Sequence, residues 1–385
     1  MTHAMTFSLT NFSIHDFLSQ HWQKKPAVFR HVFSPFVDPL DENDLAGIAM
    51  EEEADSRMVI QDAHGWHVEH GPFTETDFGE LCRDKWTLLV QGVDKYLPDA
   101  DALMEAFNFI PYWRMDDLMV SFASPGGGVG PHLDQYDVFL VQGKGKRRWQ
   151  VGKPGEHIAQ YPHPDLKQIQ PFAAVMDVVL APGDMLYIPP NWPHNGVAVD
   201  ECMTYSVGFR APDQAQIVQS LPEIFATASD TAIRYTDPAL TAQSHPSLVS
   251  STALLTLKSL LMDVLNGDQW QQAMLRLLSD QQLPESFPAT LYQPETLNNA
   301  LKAGAIFQRV PGCRPLFTPT NNSSIFTFFV NGELFTASRA CESSVLAILS
   351  GEWVTSECIS KCENKFALLE IVSTLINKGY WELHE

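Results

Sequence analysis

The sequence predicts an α+β chain in which a block of antiparallel strands is flanked by helical segments. Three observations predict it. Between Met115 and Arg210, short β-rich runs alternate with Gly/Pro turns: DLMVSFAS, PGGGVGP, HLDQYDVFLVQ, GKG, KRRWQVG, VMDVVLAPGDMLYIPPNWPH and MTYSVGF. Strands at such spacing predict a sandwich or barrel. Residues 213–282 are helical in pattern, with Leu254, Leu257, Leu261 and Leu265 at helix-compatible spacing. Residues 296–385 mix both textures. A length of 385 residues supports two or three domains. The expected boundaries are 1–212 (strand core about 115–210), 213–290 and 291–385.

The elements follow in order. Ser13-Ile-His-Asp16 predicts a helix N-cap. Ile14, Phe17, Leu18 and Trp22 then share one helical face, and Lys24-Lys25-Pro26 predicts the helix end. Asp41 to Met50 reads as a second helix. Ser56–Ile60 and Trp66–Glu69, around Asp62-Ala-His-Gly65, read as a hairpin. Trp86–Val93 has the length of a buried strand, and Pro98–Phe107 is helical in pattern. Beyond the strand block, Gln282–Glu295 carries three prolines and reads as a linker. Asn331-Gly332 within Ile325–Phe335 predicts a hairpin. Ser343–Leu349 and Phe366–Lys378 predict helices.

Charge narrows the function. Asp and Glu number 46 against 25 Lys and Arg, a net charge of −21. That field repels phosphate backbones and attracts a basic partner, so direct nucleic-acid binding is not expected. Residues 296–385 hold 7 basic and 8 acidic side chains, whereas a DNA-reading module should be basic. No apolar run approaches about 18 residues, so no membrane span is expected. The N-terminus lacks the basic and apolar regions of a signal peptide. Six scattered cysteines without a CxxC predict reduced thiols and a cytoplasmic location.

The sharpest chemical feature is His132-Leu-Asp134 followed by His194. On a strand His132 and Asp134 point the same way, one pleat apart. Two imidazoles and one carboxylate on one side of a metal form the facial triad of non-haem Fe(II) oxygenases, which leaves positions open for a cosubstrate and O₂. The same face holds Tyr136, Val138 and Leu140; the two aliphatic residues read as core, and Tyr136 as core or pocket border. Asp137 and Phe139 lie opposite and read as structural. Two readings stand for Asp116 and Asp117: contact with a cationic side chain, or capping at the start of a strand. Gly126-Gly-Gly-Val-Gly130 precedes a strand and lacks a closing Lys-Ser/Thr, so it is not a phosphate loop. It reads as a close approach at the barrel mouth. His67 and His70 face opposite ways on a strand, His64 sits in a turn, and Cys358 with Cys362 has no companion pair; none of these predicts a metal site.

Gly183-x5-Pro189-x4-His194, with Gly126 six residues before His132, resembles the two half-motifs of the cupin double-stranded β-helix. Asp134 in place of a second His is similar to the JmjC pattern. Trp113-Arg-Met-Asp-Asp117-Leu-Met-Val-Ser121, Gly127-Gly-Val-Gly130-Pro-His132, Tyr136-Asp-Val-Phe139, Arg147-Arg-Trp149 and Gly208-Phe-Arg-Ala-Pro212 resemble the bacterial ribosomal oxygenases. These are JmjC-related arginine hydroxylases of the sixteenth large-subunit ribosomal protein. Phe17-Leu-Ser-Gln-His-Trp22-Gln-Lys-Lys-Pro26 resembles that family's opening. The resemblance is dense over 12–212 and looser beyond.

It implies a JmjC/cupin double-stranded β-helix, a helical dimerisation region that makes a homodimer, and a winged-helix-like C-terminal domain. It implies Fe(II) held by His132, Asp134 and His194. It implies 2-oxoglutarate held by Arg147, thirteen residues after Asp134, and by Ser121. Candidate substrate contacts are Tyr136, Asp116 and Asp117. The implied reaction is hydroxylation of an arginine in a basic ribosomal protein with O₂. Three alternatives stand beside it: an N-methyl-lysine demethylase with the same triad, a cupin sensor joined to a DNA-binding winged helix, and a metal-binding cupin isomerase. Arg147 argues against the last.

Overall fold

A computed structural model describes residues 5–219, 222, 233–238, 249–286, 288–319 and 324–384. The first thirteen strands are β1 Ala27–Phe29, β2 Ser56–Asp62, β3 Gly65–His70, β4 Lys85–Val90, β5 Met115–Ala123, β6 Asp137–Gln142 and β7 Arg147–Gly152, then β8 Ala159–His163, β9 Leu166–Ile169, β10 Ala174–Leu180, β11 Met185–Ile188, β12 His194–Ala198 and β13 Cys202–Phe209. Eight form one sheet in the order β1-β11-β6-β13-β5-β4-β2-β3, and β10-β7-β12 form a second. Neighbours such as β13 with β5, β13 with β6 and β7 with β12 run antiparallel. This is the α+β arrangement expected of the strand block.

Period-2 alternation divides each central strand. In β5 Leu118, Val120 and Phe122 enter the main core, and in β13 Met203, Tyr205, Val207 and Phe209 do so. The alternate residues Asp117, Met119 and Ser121, with Thr204, Ser206 and Gly208, line a cleft. Phe139 of β6 packs in the same core against Phe107, with ring centroids 4.9 Å apart. Asp137 is fully buried and accepts hydrogen bonds from Tyr187 Oη, Gln23 Nε2 and Arg114 Nη2. The structural reading of both residues therefore holds.

Several elements differ from expectation. The first helix, Ile14–Gln20, has its Ser13 cap but stops before Trp22. Gln23 at φ 56° takes the chain out of helical geometry. Only Phe17 of that helix is buried, and Trp22 instead stacks on Tyr187 from the turn. The strand expected over Trp86–Val93 ends at Val90 because Gly92 is left-handed and opens a 3₁₀ turn at Val93–Lys95. His132 and Asp134 do not lie on a regular strand. Gly130 at φ 78° and Pro131 interrupt it, and β6 begins only at Asp137. His132 makes a single bridge, to His194.

The helical expectation for 213–282 is met over Gln214–Gln219, Ser251–Leu265 and Asp268–Ser279; residues 220, 221, 223–232 and 239–248 lie outside the described ones. A second core, from Leu297 to Trp381, holds the C-terminal module. Its hairpin Ile325–Val330 and Glu333–Ser338 turns at Asn331 (φ 45°) and Gly332 (φ 77°), the left-handed pair that an Asn-Gly turn supplies. The module is bolted to the N-terminal half by ion pairs. Arg314 is 1% exposed and lies 2.9 Å from both Asp94 and Asp101, while Arg309 meets Glu105 at 2.7 Å. Removing one member of such a buried pair costs roughly 3–5 kcal/mol. No helix among the described residues is long and apolar enough to cross a membrane.

Candidate active site

The cleft between the two sheets has a volume of about 950 Å³, the upper end for a ligand site. The structure brings His132, Asp134 and His194 together in it, with one donor atom of each within 4.8 Å of the others. Among the described residues no other His/Cys/Asp/Glu trio does this. His194 opens β12, and the backbone groups of His132 and His194 exchange two hydrogen bonds of 3.0 Å. The Asp134 carbonyl accepts from Asn191 N at 2.8 Å, which holds the loop in place without a strand.

Both imidazoles are oriented by their backbones. Nδ1 of His132 lies 2.9 Å from the Gly130 carbonyl, and Nδ1 of His194 lies 3.0 Å from the Trp192 carbonyl. A carbonyl only accepts, so each Nδ1 carries a proton and each Nε2 is left as the ligating atom, bare in His132 and sharing a proton with Asp134 in His194. Asp134 Oδ2 is 3.4 Å from His194 Nε2 and 4.0 Å from His132 Nε2. Burial, reinforced by His194, pushes His132 down to about 4, so its lone pair is available at neutral pH. Burial pushes Asp134 up, but the His194 hydrogen bond and both imidazoles outweigh it and hold the carboxyl near 2. Burial lowers His194, yet the hydrogen bond to Asp134, the Asp134 charge and the Trp192 carbonyl together outweigh it and raise the imidazole. A cation entering the trio would displace the proton that His194 and Asp134 share.

Arg147 opens β7 and is 3% exposed. Its Nη1 donates to Ser121 Oγ at 3.2 Å and its Nη2 to the Gly196 carbonyl at 3.3 Å, while Nε has no partner. It lies 5.1 Å over the Trp149 ring. Burial pushes its pKa down, yet a guanidinium stays charged in proteins. A buried cation with no anion beside it is costly, so its surroundings fit an anionic ligand. Gly196 makes the room, since a Cβ there would sit 2.6 Å from the Trp149 ring and 2.8 Å from Arg147 Nε. Arg148 points to the other face and pairs with Asp177 at 2.6 Å.

Asp116, Asp117 and Tyr136 all line the cleft. Asp117 Oδ2 also accepts from Gly92 N at 3.0 Å, so the residue both borders the cleft and anchors a loop. Tyr136 is 38% exposed and precedes β6 rather than sharing its face. Val138 and Leu140 pack in a small core with Trp149 and also border the cleft. Sequence reasoning passed over Thr204, Ser206, Arg57 and Gln281, which line it too. For Thr204 and Ser206 a signal was present in the polar alternation of MTYSVGF. For Arg57 and Gln281 no local signal exists.

A protein-family model described as the JmjC domain matches residues 102–217, and one described as a ROXA-like winged helix matches 259–382. The ribosomal protein uL16 3-hydroxylase of Escherichia coli is 38% identical over 369 residues, covering 95% of this chain and 96% of the relative. A probable ribosomal oxygenase of Haemophilus influenzae is 32% identical, covering 91% and 89%. The X-ray structure of E. coli ycfD superposes with a TM-score of 0.90 at 38% identity, covering 99% of this chain and all of that one. A structure of YcfD, described as a ribosomal oxygenase from E. coli in complex with cobalt and 2-oxoglutarate, gives a TM-score of 0.88 at 36% identity, covering 98% and 100%.

Proposed function

Because the chain belongs to the family of JmjC-domain ribosomal oxygenases, we propose that it is an Fe(II)- and 2-oxoglutarate-dependent dioxygenase that hydroxylates an arginine of ribosomal protein uL16. The observation that carries this reading is the trio of His132, Asp134 and His194 in one cleft with the unpaired Arg147 cation. The donor set fits ferrous iron. When bound, the metal with 2-oxoglutarate and O₂ supplies the oxidant for an unactivated C–H bond, and the cosubstrate leaves as succinate and CO₂. The residues have separate tasks. Gly130 and Trp192 carbonyls aim the imidazoles, and Asp134 supplies the balancing negative charge. Arg147 and Ser121 hold the far carboxylate of 2-oxoglutarate. Asp116, Asp117 and Tyr136 meet the substrate guanidinium. Residues 1–212 form the catalytic unit, 213–290 carry the dimer contact and 291–385 form the C-terminal module. All six cysteines are free, which fits a cytoplasmic enzyme. The test is mass spectrometry of purified uL16 after incubation with the iron-loaded protein, 2-oxoglutarate and O₂. A gain of one oxygen on one arginine is expected; unmodified uL16 alongside an active control enzyme refutes the reading.

The acid at the cleft makes a pH prediction. Burial, with Asp94 and Asp116 beside it, pushes Asp117 up to about 7. Its carboxyl is therefore protonated below that pH and charged above it. Affinity for a cationic side chain should rise as pH increases through about 7. Asp117→Asn should flatten that rise and weaken substrate binding above pH 7 by roughly 10–150-fold, the worth of a charged hydrogen bond. Titrating KM for uL16 from about pH 6 to about pH 8 in both proteins checks this, and parallel profiles refute the Asp117 assignment.

The helix Ser251–Leu265 has no buried residue, with Leu254 57%, Leu255 66%, Leu257 48% and Leu261 42% exposed. An apolar helix left bare needs a partner, and we assign a second copy of the chain. Leu257→Asp with Leu261→Asp should give a folded, soluble monomer by light scattering. Wild-type protein that runs as a monomer at micromolar concentration ends the assignment.

A further inference from the structure

Gln281 is 4% exposed, lines the cleft, and has no partner for either its Nε2 or its Oε1. An amide in that state forgoes two hydrogen bonds. Its backbone, by contrast, is held from both sides. Asn331 Oδ1, at the turn of the C-terminal hairpin, accepts from Gln281 N and Leu283 N at 3.3 Å each. On the catalytic side Arg210 Nη1 donates to the Asp280 carbonyl at 3.1 Å and Lys95 Nζ to the Gln282 carbonyl at 3.4 Å. The segment is thus a fixed part of the cleft wall, contributed from outside the β-helix. A fixed backbone that carries an unpaired buried amide is the arrangement of a recognition group awaiting a ligand.

We infer that Gln281 is a substrate-reading residue whose carboxamide pairs with a backbone peptide group of the protein substrate. The inference rests on the hydroxylase reading above and extends it to how the polypeptide is gripped. The chemistry of the partner follows from the hydrogen-bond inventory. A guanidinium only donates, so it would satisfy Oε1 and leave Nε2 bare; a carboxylate would do the reverse. A peptide unit offers one N–H and one C=O and satisfies both. Both amide atoms are buried in the ligand-free protein, so substrate entry must be accompanied by a rotamer change that presents the amide to the cleft. The neighbouring acids Asp116 and Asp117 remain for the cationic side chain, and Gln281 reads the main chain.

The test uses the full-length protein loaded with metal and 2-oxoglutarate, with purified uL16 as the probe. Gln281→Met keeps the length and removes both polar atoms. It should weaken uL16 binding on the order of tenfold, the worth of two neutral hydrogen bonds. Affinity for 2-oxoglutarate should stay at the parent value, and Tm should hold or rise because an unpaired amide has been removed. Gln281→Glu keeps the shape but loses the donor and should also bind uL16 more weakly. Parent-like uL16 affinity in both variants overturns the inference while leaving the hydroxylase reading intact. A fall in Tm together with weaker 2-oxoglutarate binding would show a structural residue and also overturns it. Failure of the parent protein to bind uL16 would instead remove the hydroxylase reading and this inference with it.

Discussion

Asp134→Ala is expected to lose metal binding and turnover together, and His132→Ala and His194→Ala should do the same. Each substitution removes one of three donors that the fold brings within 4.8 Å of one another. Loss of groups that merely orient metal ligands already costs about 10–100-fold in affinity, so loss of a ligand should exceed that. The fold itself should survive. Asp134 lies in a loop fastened through its carbonyl, and an alanine keeps that bond. Cobalt or iron titration followed by calorimetry reads the affinity, and succinate release reads turnover. Parent-like metal affinity in Asp134→Ala would remove the carboxylate from the site. Burial and His194 keep His132 neutral at physiological pH, so the parent should load metal at neutral pH without competition from a proton on that ring.

Arg147→Ala should raise the 2-oxoglutarate requirement sharply and spare the metal. A charge-assisted contact is worth about 1.5–3 kcal/mol, or roughly 10–150-fold in affinity. Arg147→Lys should lie between the two, since the charge stays and the planar fork is lost. A second effect follows from the absence of an internal anion. Among the described residues the buried guanidinium has Ser121 Oγ and the Gly196 carbonyl as hydrogen-bond partners and the Trp149 ring beneath it, but no anion, so the ligand-free parent carries a desolvated charge. Saturating 2-oxoglutarate should therefore raise the parent's Tm by mass action, and Arg147→Met should abolish that rise without lowering the ligand-free Tm. If Arg147→Ala bound 2-oxoglutarate as the parent does, the cation that holds it would be elsewhere. Arg148 is a poor substitute, because it is already paired with Asp177 on the outer face.

The sequence by itself determined what depends on local pattern. Period-2 alternation gave Asp137 and Phe139 structural roles, and both are buried in the fold. The Ser13 cap, the Asn331-Gly332 turn and the Gly143-Lys-Gly145 turn before Arg147 are short-range signals with short-range causes, and each stands where it was expected. The choice of His132, Asp134 and His194 also came from residue type and spacing, helped by the resemblance of their flanking motifs, and the choice of Arg147 came from that resemblance. Tertiary structure decided how those residues meet. A period-2 argument placed His132 and Asp134 on a strand, but Gly130 and Pro131 break it. The approach to His194 is set by a backbone bridge between residues 62 positions apart, which no local rule encodes. Gln281 is the extreme case. Its place in the cleft depends on Asn331 on one side and on Lys95 and Arg210 on the other, three contacts remote in sequence. Local patterns report backbone preference and burial; the position of a loop side chain depends on long-range packing, and only the folded chain supplies that.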